Sequence, residues 1–187
     1  MAKRYVFIAL AFALAMPVAV SDDWTGYRSD GARSGSTTES VPPRAVANQP
    51  ILLKWAWNVG NGSMISSPVV ADGKVFLGTE DGKVRCWRGS DGVLLWSYQT
   101  EGYVRSTPAY AKGRIYVGSA DGRLYCFHSE TGEKLWSVFH GGTQISSPLV
   151  VNDRVFVGVG DPSTELRAYH ALTGALQWSY QVGQIVH

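Results

Sequence analysis

The sequence predicts an all-β fold: a β-propeller of four-stranded antiparallel blades, incomplete, with three full blades and one orphan strand. Three observations predict it. A Ser-Ser/Thr-Pro motif recurs as Ser66-Ser67-Pro68, Ser106-Thr107-Pro108 and Ser146-Ser147-Pro148, at a spacing of 40 residues. Between these motifs the apolar residues alternate in short runs broken by turn residues, the pattern of half-buried strands. Glycine is abundant (21 residues), aromatics reach 12% and only two cysteines occur, which suits short strands and tight turns rather than a helical bundle or a disulfide scaffold. Four strands per unit of about 40 residues is the signature of a propeller blade. A leucine-rich solenoid has a shorter repeat, helical arrays need a period of about 3.6, and an immunoglobulin-like sandwich leaves three aligned copies unexplained.

The elements follow in order. Lys3 and Arg4 precede an apolar run from Tyr5 to Met16, Pro17 breaks it, and Ala19 and Ser21 are small residues suited to a cleavage site. Residues 1–21 therefore read as a secretory signal peptide, because the run is shorter than the roughly 20 residues of a membrane span. An exported domain, periplasmic or secreted, is the expectation. Residues 22–50, rich in Gly, Ser and Pro, read as an irregular lead-in. Ile51-Leu52-Leu53-Lys54-Trp55 stands alone as a final blade strand within 51–59, and the blades follow at about 66–105, 106–145 and 146–187.

Each blade repeats one grammar. An alternating strand such as Arg114-Ile115-Tyr116-Val117-Gly118 follows the Ser-Pro motif. Asp81-Gly82 and Asp121-Gly122 then predict two-residue hairpin turns, and the third copy carries a longer Gly160–Thr164 segment instead. A further strand leads to a turn at Gly92, Gly132 or Gly174, and a tryptophan stands four residues beyond each glycine, at Trp96, Trp136 and Trp178. Lys and Arg number 17 against 15 acidic residues, and loss of Lys3 and Arg4 with the signal balances them. A neutral domain without a basic run has no electrostatic basis for binding nucleic acid.

The runs from Cys126 through Thr131-Gly132 to Trp136, and from Ala168 through Thr173-Gly174 to Trp178, resemble the pyrroloquinoline-quinone (PQQ) type propeller repeat. The run from Cys86 through Asp91-Gly92 to Trp96 is a looser match, and Arg88, His128 and His170 stand where that repeat has an acidic residue. Asp23-Trp24-Thr25-Gly26-Tyr27-Arg28 is similar to the lead-in of exported bacterial members. The resemblance implies that the tryptophan of one blade docks on its neighbour. It also implies a choice of activities, since the family holds dehydrogenases, assembly scaffolds and many uncharacterised exported proteins.

The candidate residues sort by repeat position. Trp55, Trp96, Trp136 and Trp178 are equivalent and read, with Gly92, Gly132 and Gly174, as blade-docking residues. Cys86 and Cys126 are equivalent positions on adjacent blades; sheets packed about 10 Å apart are too distant for a disulfide, so two free thiols are expected. No His or Cys spacing fits a metal site, and Asp81, Asp121 and Asp161 read as turn residues rather than calcium ligands. The serines before the prolines lack a His/Asp partner set, so no catalytic residue is assigned. Arg105 breaks the repeat where Ile65 and Ile145 stand, and Arg105 and Gln144 are the candidate ligand contacts in an axial channel.

Closed propellers have about four to eight blades, so this chain needs missing blades or another chain to close a ring. The favoured function is a non-catalytic exported binding or scaffold module that presents a channel or rim to a protein, peptide or glycan, with no cofactor. The alternative is a fragment of a PQQ-dependent alcohol or sugar dehydrogenase using PQQ with calcium. A weaker alternative is an outer-membrane assembly scaffold, against which the absence of a lipid-attachment cysteine counts. Trp136→Ala is expected to cost about 3–5 kcal/mol in urea unfolding, the usual range for a large aromatic lost from a core; a loss below about 1 kcal/mol contradicts the docking role.

Overall fold

The computed structural model describes residues 54–58, 66–142, 146–160, 162 and 164–183. The expected signal peptide (1–21) and lead-in (22–50) lie outside these residues. So do Ile51–Leu53 of the orphan strand.

Twelve strands form three four-stranded antiparallel sheets, and the described residues contain no helix. The first blade holds β1 (Val69–Ala71), β2 (Lys74–Gly78), β3 (Lys83–Arg88) and β4 (Leu94–Gln99). The second holds β5 (Ala109–Ala111), β6 (Arg114–Ser119), β7 (Arg123–His128) and β8 (Lys134–Phe139). The third holds β9 (Leu149–Val151), β10 (Arg154–Val159), β11 (Glu165–His170) and β12 (Leu176–Gln181). Each sheet is a simple meander in chain order. The short strands β1, β5 and β9 lie against one another at the inner edges, so the three sheets radiate as wedges from a common side. This is the all-β, incomplete propeller that the repeat predicts.

Lys54–Asn58 carry no strand. A strand is held by ladder hydrogen bonds to a neighbour, whereas this segment is fastened through a side chain, the Trp55 indole donating to the Gly89 carbonyl at 2.9 Å.

The turns differ from the expectation in an instructive way. The two-residue loops are Asp72-Gly73, Lys112-Gly113 and Asn152-Asp153, where both residues have positive φ (48° and 69° in the first), as a type I′ hairpin requires. At Asp81-Gly82 only the glycine has positive φ (77°), and the loop is wider, with Gly82 N–H donating to the Thr79 carbonyl (3.1 Å) and Thr79 N–H to that of Lys83 (3.0 Å). The same pattern recurs at Asp121-Gly122, where Gly122 N–H donates to the Ser119 carbonyl (3.1 Å). The reason is the carboxylate. Asp81 accepts from the Lys83 N–H at 3.2 Å and from the Thr79 hydroxyl and Arg85, and Asp121 accepts from the Arg123 N–H at 3.0 Å. The carboxylate holds a three-residue loop, in which the glycine after it supplies the one positive φ that such a loop needs.

The register of every blade slips at one place, between Cys86 and Trp87, Cys126 and Phe127, and Ala168 and Tyr169. Trp96 pairs with Cys86 and Leu94 with Trp87, leaving Leu95 as an extra residue. Such a bulge bends its strand and re-aims the adjoining side chains.

Apolar faces meet at two junctions. Phe76, Cys86, Val69 and Val84 of the first blade pack on Ile115, Val117, Tyr125 and Phe127 of the second. The opposite face of the second blade, with Tyr116, Leu124 and Cys126, packs on Val155, Val157, Val159 and Tyr169 of the third. Cys86 and Cys126 therefore lie in different junctions, both buried and both free.

Candidate functional site

The Trp55, Trp96 and Trp136 indoles each reach to the glycine turn of the following blade. The Trp96 ring lies so close to Gly132 that a Cβ there would sit 2.6 Å from it, and Trp55 meets Gly92 (2.7 Å) and Trp136 meets Gly174 (2.8 Å) in the same way. The indole N–H then donates to the carbonyl three residues before that glycine: Gly89 at 2.9 Å, Ser129 at 2.9 Å and Ala171 at 3.1 Å. Aromatic neighbours complete the cage. Trp96 has Phe76 and Phe127 at 6.1 Å, and Tyr116 lies 5.9 Å from Trp136. The contact combines a large apolar area with satisfaction of the indole donor, which is what a half-buried tryptophan needs.

The inner edges are joined by hydroxyls. The Ser66 hydroxyl donates to the Ser106 carbonyl (3.0 Å), while Ser67 N–H donates to Thr107 Oγ1 (3.2 Å) and Thr107 N–H to Ser147 Oγ (2.9 Å). The second hydroxyl of the second and third motifs thus accepts a backbone N–H of the preceding motif. Pairing every repeat with its neighbour in this way required the three-dimensional ring order, so the motif alone did not reveal it.

The hairpin aspartates are engaged in holding their own loops. Burial pushes the Asp81 carboxyl up, but hydrogen bonds from Arg85 and Thr79 and the Arg85 charge outweigh it and leave the group below its usual 3.8. Asp121 accepts the Tyr125 hydroxyl at 2.7 Å. Burial also pushes the Cys86 and Cys126 thiols up to about 12, leaving them protonated and poor nucleophiles. His140 is buried, with its carbonyl accepting from Arg167 (2.9 Å). Burial and the Arg167 charge push its imidazole down to about 4.

Arg105 is exposed at the end of the molecule that carries the wide hairpin loops. Its Nε donates to Glu80 at 2.9 Å and its guanidinium lies 4.3 Å over the Tyr103 ring. Gln144 lies outside the described residues, as do Ile65, Ile145 and His187.

The outer face of the third blade is open. Trp178 is 41% exposed and Tyr180 68%, whereas the equivalent Trp96 and Tyr98 are half-buried beneath the next blade. Leu176, Leu166 and Val182 share the exposure.

A family model described as outer membrane protein assembly factor BamB matches residues 31–185. The chain belongs to the BamB family. That family and the PQQ-type repeat read from the sequence agree. Among solved structures the chain is similar to a quinohemoprotein alcohol dehydrogenase from Comamonas testosteroni, at 25% identity and a TM-score of 0.75 over 85% of this chain and 27% of that one. It is also similar to a europium-containing methanol dehydrogenase, at 22% identity and a TM-score of 0.70 over 84% and 31% of the two chains. BamB from Moraxella catarrhalis aligns at 19% identity and a TM-score of 0.54, over 63% and 38%. This member of the BamB family thus spans well under half the length of each of these structures. No curated protein sequence gives a significant match.

Gly132 and Gly113 share a φ of 72°, but nothing lies within 4 Å of a Cβ at Gly113. Backbone strain of about 1–2 kcal/mol is therefore common to both alanine substitutions. Gly132→Ala is expected to lose a further 1–3 kcal/mol, roughly the cost of overpacking, in urea unfolding. Equal losses contradict the close indole contact.

Proposed function

We propose that this chain is part of an exported, non-catalytic propeller that acts as a protein-binding or assembly scaffold. The observation that carries the reading is the match of residues 31–185 to a family described as an outer membrane protein assembly factor. Blade docking by Trp55, Trp96, Trp136 and Trp178 on the turns at Gly92, Gly132 and Gly174, within blades at 66–105, 106–145 and 146–187, is the framework we assign to it. Trp178 supports the reading from the other side. An exposed apolar patch of this kind marks an interaction surface, and a flanking blade, from a longer protein or another chain, is the cover we assign. A partner protein, peptide or glycan would then meet the channel or rim, with Arg105 and Gln144 as the contacts. The half-exposed guanidinium of Arg105, tethered to Glu80, is suited to an acidic group.

A second reading draws on the dehydrogenase structures, whose TM-scores of 0.75 and 0.70 exceed the 0.54 of the Moraxella protein. It makes the chain a segment of a quinone-dependent alcohol or sugar dehydrogenase, with PQQ and calcium on the axis. The residues described do not fit that pair: no group of three or more His, Cys, Asp or Glu side chains among them is placed to hold a cation. Asp81 and Asp121 are occupied by Arg85 and Tyr125, and Asp161 lies outside the described residues. No catalytic step is derived through the quinone.

Titration of the purified chain with PQQ and calcium, followed by dye reduction with alcohols and sugars, separates the readings. The scaffold reading expects no turnover above the quinone alone. Turnover that needs both protein and quinone overturns it.

A further inference from the structure

The two blade junctions are built from equivalent positions, yet they are filled differently. At the junction of the first and second blades, Tyr110 stacks on Phe76 at 6.3 Å and its hydroxyl bonds Asp72. The Lys74 ammonium beside it is matched by Glu130 at 2.6 Å. One repeat later, Val150 takes the place of Tyr110, Arg114 that of Lys74 and Leu172 that of Glu130. Loss of the aromatic ring leaves a cavity of about 140 Å³, lined by Arg114, Tyr116, Val150, Ala171 and Leu172 among others. Loss of the glutamate leaves the cation without its carboxylate: the buried Arg114 Nε has no hydrogen-bond partner among the described residues.

The third blade shows what this position ordinarily does. There Arg154 donates its Nε to Gln177 at 2.9 Å. The residue equivalent to Gln177 in the second blade is Leu135, which has no acceptor to offer. A buried guanidinium N–H without a partner is costly. Lys112 and Asp153 at the rim pair with each other at 2.6 Å, so their charges offset and that of Arg114 remains. Ala111, Val150, Ala171 and Leu172 supply apolar walls, beside Tyr116, Asn152 and the Lys112–Asp153 pair.

We propose that this cavity is a binding site for a carboxylate carried on a short apolar stem, held by the Arg114 guanidinium in the place that Glu130 fills one junction earlier. A guanidinium recognises a carboxylate through directed, charge-assisted hydrogen bonds, and the apolar walls accept the methylenes behind it. The carboxylate can come from a free short-chain acid or from an acidic side chain of a bound peptide. The chemistry is the same. The site lies at the end of the molecule opposite Arg105, and it stands independently of the scaffold reading.

The test follows the Arg114 Nε–Hε resonance of the full chain by NMR, assigned through its disappearance in Arg114→Gln. Titrants are acetate, N-acetyl-glutamate methylamide with its own α-carboxyl blocked, the matching glutamine derivative, and chloride. A saturable shift with acetate or the glutamate derivative, and none with the glutamine derivative or chloride, is the expected result. Tighter saturation by the glutamate derivative identifies an acidic side chain as the source, and tighter saturation by acetate a free acid. Val150→Tyr, which restores the ring of the neighbouring junction, should weaken binding at least about 10-fold. Leu172→Glu, at an exposed position, should supply the carboxylate internally and abolish the titration. A resonance that ignores both carboxylates, one that moves equally with chloride, or full binding retained in Val150→Tyr overturns the proposal.

Discussion

An indole ring laid on a glycine that has no side chain is the contact around which this molecule is arranged. A four-stranded sheet cannot bury both faces alone, so each blade is stable only through its neighbours. The tryptophan meets that need from one edge: it spans the junction, covers apolar surface on both sides and finds a backbone acceptor at its tip. Three features of the sequence meet there. At Trp96 and Trp136 a bulge adjoins the ring on its strand, the facing turn brings backbone close, and the residue beneath the ring is glycine. Each recurs at the same repeat position.

That contact also explains why the two ends of the described structure differ. At one end Trp55, from a segment that forms no strand, occupies the slot on Gly92. At the other end Trp178 has the same environment on its own blade, with Phe156 at 5.9 Å, but no facing turn among the described residues, and its strand is exposed throughout. The first blade's slot is therefore already filled, and a second copy of the chain cannot seat Trp178 on Gly92 without displacing Trp55.

Much of this was legible in the sequence because the repeat is a physical constraint written three times. The strands, their order and the alignment of the tryptophans follow from spacing and alternation. The turns were harder. Asp-Gly is a strong signal for a two-residue hairpin, but Asp81 and Asp121 spend their carboxylates on the backbone ahead, and the tight turns fall at Asp72-Gly73, Lys112-Gly113 and Asn152-Asp153. The hydroxyl bonds between Ser-Pro motifs could not be read at all, since they join residues 40 apart. The cavity beside Arg114 was hidden for another reason. Val150 and Leu172 are ordinary apolar residues, and only the junction that places them next to an arginine reveals what they have replaced.

The most direct test of the indole contact is hydrogen exchange at the four equivalent indole N–H groups, followed by NMR on the intact chain. Three of them donate to a carbonyl of the adjoining blade, and burial in a hydrogen bond slows exchange. Trp96 and Trp136 should be the most protected, Trp55 less so, and Trp178 should exchange at close to the free rate. Four indoles exchanging alike, or Trp178 as protected as Trp96, would contradict the account.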